Sequence, residues 1–181
     1  NFIFEFLECP SVFLMDCDNA ASVLNTFEKA SKRRSGIMVP TRTIRTIDWS
    51  DWFCFCATDI GEELPVDCHL PTDFLTSCVL TPAETALCCH ILQYFRATLV
   101  KKDFPLDGTI AKIIGDKNEQ LTHTILTIAD AIAALCFKEE LYDILIRKDP
   151  LIKRITEGFL LSQYLLKPYM VYPQSRPAIP N

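Results

Sequence analysis

The chain has 181 residues, of which 49% are hydrophobic and 23% are charged, and its formal net charge is −5. This length predicts one domain or most of one, and so large an apolar share excludes a disordered chain. The net negative charge argues against a broad nucleic-acid-binding surface, and no uncharged stretch of about 18 residues predicts a membrane span. Because the chain does not begin with Met and its opening residues are already apolar, we expect a fragment of a longer protein.

The amino-terminal part predicts a strand, a turn, a helix and a second strand. Residues Ser11–Met15 form a short β-branched and aromatic run, which is typical of a buried strand. Apolar side chains then recur at helical spacing over residues 20–30, and Asp18 or Asn19 is suited to cap that helix. The run Trp52–Ala57 predicts the second strand.

Between these strands, residues 31–51 are predicted to form a connector, and the stretch that contains it is basic. The basic side chains either face water, as on a solvated loop or helix end, or bind an anionic partner. They are Lys29, Lys32, Arg33, Arg34, Arg42 and Arg45.

The remaining sequence predicts helices. One begins at Thr81, where Pro82 suits the first helical position and Glu84 is placed to close a capping box. Its apolar face is expected to consist of Ala86, Leu87, Ile91, Tyr94 and Phe95.

Three more helices are predicted. The first carries an apolar stripe, the second is short and amphipathic, and the third begins at Asp149-Pro150 and runs toward Leu166. Gly158 is expected to weaken the third helix by about 1 kcal/mol relative to Ala. The stripe of the first is Leu121, Ile125, Ile128, Ile132 and Leu135, and the apolar positions of the second are Leu141, Ile144 and Leu145.

The order of these elements predicts an α/β fold class, in which a parallel sheet core grades into a carboxyl-terminal helical layer. Prolines then end the chain as an extended tail.

The chain contains nine cysteines, and several lie in apolar segments. Their number is odd and no secretory signal is visible, so we expect reduced, core-filling thiols and no disulfide scaffold. The cysteines in apolar segments are Cys54, Cys56, Cys88, Cys89 and Cys136.

Cys17 is the strongest candidate for chemistry. It follows a predicted buried strand and precedes a helix, where α/β folds place reactive groups. Two observations argue against a nucleophile: the flanking Asp16 and Asp18 disfavour a thiolate, and a cysteine nucleophile needs a base. Among the histidines, His90 and His123 lie on predicted helices, and only His69 lies in a loop.

No metal site is predicted. The adjacent residues Cys88, Cys89 and His90 diverge by about 100° each on a helix, so they cannot chelate one ion together. Cys54 and Cys56 point to one face of a strand, but no second pair completes a zinc site. The carboxylate pair Glu62-Glu63, like Glu139-Glu140, is expected on a solvated face.

Three sequence blocks cover nearly the whole chain. The first block is an apolar strand followed by Asp16-Cys17-x-Asn19-Ala20 and a helix. The second block is Leu70-Pro71-x-Asp73-x-x-Thr76-Ser77-Cys78-x-x-Thr81-Pro82. The third block is Phe159-Leu160-Leu161 together with the tail Pro173-x-Ser175-x-Pro177-x-x-Pro180. In this order and spacing they resemble the amino-terminal conserved domain of the Raptor family, the regulatory scaffold subunits of TOR complex 1.

The resemblance implies a caspase-like fold in which Cys17 lies where a caspase has its nucleophile. The caspase signature Gln-Ala-Cys-x-Gly is absent, because Met15, Asp16 and Asn19 replace its first, second and last residues. Ala21 also stands where the family usually has Gly. A caspase-type His lies roughly 50 residues upstream of the Cys, and no His precedes Cys17 here.

The resemblance also implies a division of the chain. Residues 1–167 correspond to the carboxyl-side part of the family's caspase-like domain, and residues 168–181 to a proline-rich tail that leads to helical repeats outside this sequence. The apolar helical faces over residues 138–166 either dock on such repeats or close the domain's own core.

The implied function is a non-catalytic scaffold that helps recruit and position substrates for the TOR kinase in nutrient signalling. Its partners are then TOR kinase and protein substrates carrying short TOS motifs, with no cofactor, no nucleic acid and no direct membrane insertion. The implied location is cytoplasmic, with recruitment to the lysosomal or vacuolar membrane through the complex. No motif identifies the substrate-binding residues.

Two alternatives remain open at this point. One is a cysteine hydrolase of the caspase or metacaspase class that uses Cys17, and the other is a zinc-bound structural module.

Overall fold

The computed structural model describes residues 11–26, 52–65, 72–97, 112 and 115–180. The basic stretch over residues 29–45 lies outside these ranges, as do His69, Leu70 and Pro71. The elements are β1 (Ser11–Met15), β2 (Trp52–Cys56), α1 (Phe74–Leu80), α2 (Pro82–Ala97), α3 (Asn118–Cys136), α4 (Glu139–Tyr142), α5 (Pro150–Leu166) and β3 (Gln174–Arg176).

The sheet confirms the predicted α/β class and its parallel start. Strands β1 and β2 pair in parallel, with Ser11 opposite Trp52 and Met15 opposite Cys56. Strand β3 joins the other edge of β2 in the antiparallel sense. All five residues of β2 are buried, as expected for a central strand covered on both faces.

The proline-rich segment, described over residues 168–180, contributes to this sheet. After a short 3₁₀ turn at Lys167–Tyr169, the chain forms β3, and Pro173 and Ile179 are buried. The peptide bond between Arg176 and Pro177 is cis. The segment predicted as an extended tail is therefore packed against the domain.

Both faces of β2 carry their own core cluster. Phe53, Phe55 and Ala57 face the helical layer, where the Phe55 and Phe159 ring centroids lie 5.4 Å apart. Trp52, Cys54 and Cys56 face the other way, toward Ala20, Ala21 and partly buried side chains of β1 and of the turn at residues 22–26.

The predicted helix starts at Pro82 and Pro150 are confirmed. Asp149 caps α5, because its Oδ1 accepts hydrogen bonds from the amides of Leu151 (2.7 Å) and Ile152 (3.2 Å). The predicted capping box at Thr81 does not form. Its amide and hydroxyl both donate to the carbonyl of Ser77, at the end of the preceding helix α1.

Helix α1 was not predicted from the sequence. Its seven residues are FLTSCVL, and four of them are buried: Phe74, Leu75, Cys78 and Val79. β-branched and polar residues make this segment a weak helix former by itself. Packing against α5 and hydrogen bonds from outside the helix therefore stabilise it.

Two predicted helix faces differ from the buried faces. In α2 the predicted Ala86 and Ile91 do pack against a core cluster, but they are only partly buried, and Tyr94 is 63% exposed. The side chain of Phe95 lies outside the described residues. The buried residues of α2 are Pro82, Ala83, Thr85, Cys88, Cys89 and Leu92. In α3 the buried residues are Ala129 and Ala133, whereas the stripe of large aliphatic side chains is mostly exposed. Small residues let α3 approach the core closely, so the large ones lie to the side.

The π-helical turn Asp143–Arg147, which directly follows α4, and the buried face of α5 close the domain's own core. Leu145, Ile146, Ile155 and Phe159 are buried in the cluster that contains Phe55. Of the two open interpretations of residues 138–166, the structure favours the core.

The described cysteines are all free thiols. Cys54, Cys56, Cys88 and Cys89 are buried as predicted, whereas Cys136 is exposed at the end of α3, contrary to the prediction. Burial raises the pKa of the Cys89 thiol to about 12, which keeps it protonated and chemically inert.

A small charge cluster joins α3, α4 and α5. The carboxylate of Asp130 accepts hydrogen bonds from the Tyr142 hydroxyl and the Lys153 ammonium, both at 2.8 Å. The bond from Lys153 lowers the pKa of Asp130. Lys153 also lies 3.7 Å from the buried carboxylate of Glu157, whose pKa burial raises.

No helix within the described ranges is long and apolar enough to span a membrane.

Replacing Gly158 with Ala should destabilise the protein, the reverse of the sign expected from helix propensity. A Cβ atom at Gly158 would lie 2.6 Å from Val79 Cγ2 and 2.8 Å from Val79 Cα. We expect the clash to outweigh the gain of about 1 kcal/mol in helix propensity and to lower the free energy of unfolding by about 1–3 kcal/mol. Denaturant unfolding measures the change, and Val79→Ala in the same background should relieve only part of it. An increase in stability for Gly158→Ala would contradict the close approach of α1 and α5.

Glu157→Gln should raise stability at neutral pH, because the amide has no charge to desolvate. A raised carboxyl pKa means that the folded protein binds the proton more readily, so the wild type gains stability as the pH falls from that raised pKa toward the ordinary value of 4.5. The stability advantage of Glu157→Gln over the wild type should therefore shrink as the pH falls through this range. Unfolding free energies measured against pH test this, with Glu140→Gln on the exposed surface as the control. A constant difference between wild type and variant would contradict it.

Candidate functional site: the loop after the first strand

The loop Asp16–Asn19 leaves the carboxyl end of β1, where the sequence placed the candidate chemistry. Cys17 is exposed, as are Asp18 and Asn19, while Ala20 is buried beneath them. Asn19 adopts a left-handed backbone conformation with φ 53°, which Asn tolerates better than most residues. This residue turns the chain sharply from the strand into the helical turn at 22–26.

Asp16 points away from solvent toward the start of helix α1. Its two carboxylate oxygens accept hydrogen bonds from the amides of Leu75 (3.1 Å) and Thr76 (2.8 Å). Asp73, the residue at the N-cap position of α1, makes no capping hydrogen bond with its side chain. A residue almost 60 positions earlier therefore caps α1, and its negative charge suits the positive end of the helix.

Asp18 and Asn19 hold the turn that follows β2. The Oδ1 of Asp18 accepts from the amide of Leu64 (2.7 Å), and the Oδ1 of Asn19 accepts from the amide of Gly61 (2.8 Å). Neither side chain caps the helical turn after it, so that prediction is wrong. Both are used to fix one loop against the other.

Thr58, and not Asp18 or Asn19, supplies the acceptors for the amides at the start of the helical turn. Its buried hydroxyl donates to the carbonyl of Cys17 (2.9 Å) and accepts from the amide of Ala20 (2.8 Å), and its own carbonyl accepts from the amide of Ala21 (3.1 Å). Because the Thr58 hydroxyl bonds both the carbonyl of Cys17 and the amide of Ala20, it fixes the backbone of the loop between them.

Glu62 connects the loop to the carboxyl-terminal segment. Its backbone carbonyl accepts from the amide of Asn19 (2.8 Å), and its side-chain Oε2 accepts from the amides of Asp59 (2.9 Å) and Tyr172 (2.8 Å). Gln174 in β3 also donates to the carboxylate of Asp59 at 3.2 Å. Glu62 is thus a structural acceptor, which corrects its prediction as part of a solvated pair.

The structure brings the described parts of the three sequence blocks together. Asp16 of the first block caps the helix that contains Thr76, Ser77 and Cys78 of the second. Gly158, next to Phe159 of the third block, allows α5 to approach that same helix. Three further residues of the second block lie nearby: Asp73 and Thr81 are exposed at the ends of α1, and Pro82 is buried at the start of α2.

The geometry around Cys17 does not assemble a nucleophile and a base among the described residues. His90 and His123 are exposed side chains of α2 and α3, and the His123 ring contacts the hydroxyl of Thr127 in its own helix. The carboxylates beside Cys17 are engaged with backbone amides. Among the residues that the structure describes, the loop therefore positions an exposed thiol without an adjacent base to activate it.

Within the described ranges, no group of three or more potential metal ligands comes together. Cys54 and Cys56 do lie on one face of β2, as predicted, with their sulfur atoms 3.8 Å apart. A hydrogen bond from Cys56 lowers the pKa of Cys54, and the same contact raises that of Cys56. Both are fully buried and form part of the core cluster around Trp52.

Sequence reasoning missed Thr58 and Glu62 as site residues. Thr58 follows β2 by two residues, and parallel strands bring their carboxyl ends to one edge of the sheet. A polar residue at that position is the signal that could have identified Thr58. For Glu62 the sequence carries no such signal, because its partner Tyr172 is 110 residues away.

Asp16→Ala should destabilise the protein because it leaves the first amides of α1 without an acceptor. We expect a loss of about 1–2 kcal/mol in the free energy of unfolding. Asp73→Ala is the matched control, since it removes a carboxylate at the same helix end that makes no capping bond, and it should change stability by less than about 0.5 kcal/mol. Denaturant unfolding of both variants measures the contrast, and equal losses would show that Asp16 is not the cap.

Comparison with known proteins gives relatives over nearly the whole chain. This chain is 28% identical over 182 residues to "Regulatory-associated protein of TOR 1" of Arabidopsis thaliana. It is 24% identical over 189 residues to "Target of rapamycin complex 1 subunit mip1" of Schizosaccharomyces pombe. Each alignment covers 97% of this chain but only 13% and 14% of the relative. No family model matches the chain.

A solved structure agrees with these relatives. The crystal structure of Chaetomium thermophilum Raptor matches with a TM-score of 0.75 and 27% sequence identity, over 98% of this chain and 16% of that one. The match extends over the same mixed α/β architecture. Sequence and structure together confirm the resemblance indicated by the three blocks: over nearly its whole length, this chain is similar in sequence and in fold to a segment of Raptor, the regulatory-associated protein of TOR.

Proposed function

We propose that this chain is a non-catalytic scaffold domain of TOR complex 1 that helps recruit and position protein substrates for the TOR kinase. Such a domain acts by position, because holding a substrate near a kinase raises its effective concentration there. It needs rigid surfaces and no reactive centre. The one observation that carries the proposal is the hydrogen-bonding of the loop after β1.

That loop is organised to hold elements together. The side chains of Asp16, Asp18 and Asn19 each accept hydrogen bonds from backbone amides of distant segments. A hydrolase of this type would instead need a base at hydrogen-bond distance from the thiol. The role of the loop as a structural joint supports a scaffold in which Cys17 does no chemistry.

The relatives support the same role at a coarser level. Two of them are named as a regulatory-associated protein of TOR and as a subunit of target of rapamycin complex 1. Because this chain corresponds to about one-seventh of each, the activity and partners of the whole proteins come to it only as part of the proposal. Partners of the proposed domain are TOR kinase and substrates with short TOS motifs.

The proposed location follows from the partners. The domain would lie in the cytoplasm and reach the lysosomal or vacuolar membrane only through the assembled complex. Neither cofactor nor metal has a role in this mechanism.

The alternative function is a cysteine hydrolase that uses Cys17, and the exposure of that thiol is the observation in its favour. It requires a base from outside the described residues, such as His69 or a residue of another segment.

Purifying the tagged full-length parent from its own cells tests the proposal. We expect TOR kinase to co-purify, as identified by mass spectrometry, and Cys17→Ala to leave its recovery unchanged, because this substitution removes only an exposed thiol. Asp16→Ala serves as the comparison, since it disturbs the joint between the loop and α1.

Two outcomes would contradict the proposal. Recovery of the intact parent without TOR kinase, under conditions that preserve complexes, would remove the scaffold function. Peptide hydrolysis by the purified parent that disappears in Cys17→Ala would establish the hydrolase instead.

A further inference from the structure

Strand β2 carries two thiols in contact on one of its faces. They belong to Cys54 and Cys56 and are here called the β2 dithiol. The two sulfur atoms lie 3.8 Å apart, and the residues expose 1% and 0% of their surface. The proposed scaffold function does not use them. Two thiols in contact form a two-electron redox pair, because each sulfur gives up one electron when a bond forms between them.

Arg176 lies beside the β2 dithiol. It stands opposite Cys54 in the antiparallel register of β2 and β3, and directly opposite residues project to the same face of a sheet. Its Nη1 is buried and has no hydrogen-bond partner within the described part of the chain. Burying a guanidinium nitrogen in this way is costly unless a negative charge lies near it. A thiolate at Cys54 supplies that charge.

The position of Arg176 also gives the hydrogen bond between the two thiols a direction. With the cation beside Cys54, Cys56 is the donor and Cys54 the acceptor. This hydrogen bond, opposed by burial but assisted by the charge of Arg176, lowers the pKa of Cys54. The same contact, together with burial, raises the pKa of Cys56. The β2 dithiol therefore combines a thiolate with a thiol that keeps its proton.

The surroundings of the β2 dithiol select a small, uncharged oxidant. In the described sheet, β3 is an edge strand of only three residues, and Arg176 is only partly buried. Local opening of so short an edge strand costs little free energy compared with global unfolding. Hydrogen peroxide is uncharged and close to water in size, so a brief opening admits it to the two sulfur atoms.

We propose that the β2 dithiol is a hydroperoxide-sensing switch, in which oxidation links Cys54 to Cys56 and releases the carboxyl-terminal segment from the sheet. In the first step the Cys54 thiolate attacks one oxygen of the peroxide, the O–O bond breaks, and hydroxide leaves. The product is a sulfenic acid at Cys54. The hydroxide takes up the proton that Cys54 released on ionisation and becomes water.

In the second step the sulfur of Cys56 attacks the sulfur of Cys54. The S–O bond breaks, the S–S bond forms, and the hydroxyl group leaves with the Cys56 proton as a second water. Two thiols and one hydrogen peroxide thus give one disulfide and two waters, and two electrons pass from the sulfurs to the peroxide. The first step favours the second, because a neutral sulfenic acid no longer raises the pKa of Cys56 by its negative charge.

A disulfide between these two positions does not fit an extended strand. Residues i and i+2 of a strand are about 6.6 Å apart and their Cβ atoms project in parallel, whereas a disulfide holds its two Cβ atoms about 3.8 Å apart. Strand β2 must therefore contract between Cys54 and Cys56. Strain of this kind makes a disulfide easier to reduce, so the switch is reversible.

The contraction falls on the pairing with β3. All three residues of β3 pair within the segment from Cys54 to Cys56, whereas β1 pairs with all five residues of β2. Part of the β1 pairing is therefore retained when the β3 pairing is lost. This switch goes beyond the proposed scaffold function and does not depend on it.

Peroxide treatment of the full-length parent tests the site, in a Cys17→Ala background that removes the exposed thiol of the neighbouring loop. Hydrogen peroxide should join Cys54 to Cys56, which mass spectrometry detects as the loss of two hydrogens from the peptide that contains both. The buried thiols Cys78 and Cys89, whose pKa values burial raises, are the internal controls. They should be oxidised at least about tenfold more slowly, since one pKa unit changes the thiolate fraction tenfold.

Substitution of Arg176 tests the origin of the reactivity. Arg176→Gln removes the charge and should slow oxidation of Cys54 by about tenfold, whereas Arg176→Lys keeps the charge and should restore most of the rate. Amide hydrogen exchange before peroxide is added verifies that the sheet is formed in each variant. Should Arg176→Gln not fold, the comparison of Cys54 with Cys78 and Cys89 in the unsubstituted sheet still decides the question.

Hydrogen exchange after oxidation tests the release. Exchange at residues 174–176 should accelerate when the disulfide forms and return to its starting rate after reduction with dithiothreitol. In Cys56→Ser, oxidation should stop at the sulfenic acid, which dimedone labels at Cys54, and β3 should remain protected.

The proposal is overturned if Cys54 is oxidised no faster than Cys78 and Cys89, if Arg176→Gln reacts at the full rate in a folded sheet, or if the disulfide forms while β3 keeps its protection. Co-purification of TOR kinase is not a readout of these experiments. Its failure would remove the proposed function and leave the switch standing.

Discussion

The complete burial of strand β2 is the constraint on which the rest of the structure depends. A five-residue strand with every side chain buried must be covered on both faces and paired on both edges. Strand β1 pairs with one edge and the carboxyl-terminal β3 with the other, while α5 and the turn at 22–26 contribute to the two faces. The proline-rich segment is held against the domain because it completes the pairing of β2.

Parallel pairing of β1 and β2 brings the two loops that follow these strands together. The polar side chains of those loops then satisfy one another's backbone amides. Asp16 extends the arrangement to α1, and Glu62 extends it to the segment before β3. A loop position that supports catalysis in some proteins is occupied here by residues whose polar groups bind the structure together. This use of the loop is the physical basis for the proposed scaffold.

Small residues determine where the helices of the helical layer approach one another and the core most closely. Gly158 allows α5 to lie against the backbone of α1, and Ala129 and Ala133 allow α3 to approach the core. Close approach through small side chains leaves the large aliphatic residues of α3 on the outside. An apolar stripe therefore does not by itself show which face of a helix is buried in its own domain.

The sequence by itself determined the strands β1 and β2, the starts of α2 and α5, the reduced cysteines of β2 and the family resemblance, because each depends on local periodicity, capping or short motifs. Tertiary structure decided the existence of α1, the orientation of α3, the packing of the proline-rich segment and the partners of Asp16, Asp18 and Glu62. These features depend on contacts between residues far apart in sequence, such as Glu62 and Tyr172, which are 110 positions apart. Local patterns limit which conformations a segment favours, but only the assembled sheet determines which polar groups meet and which apolar faces remain uncovered.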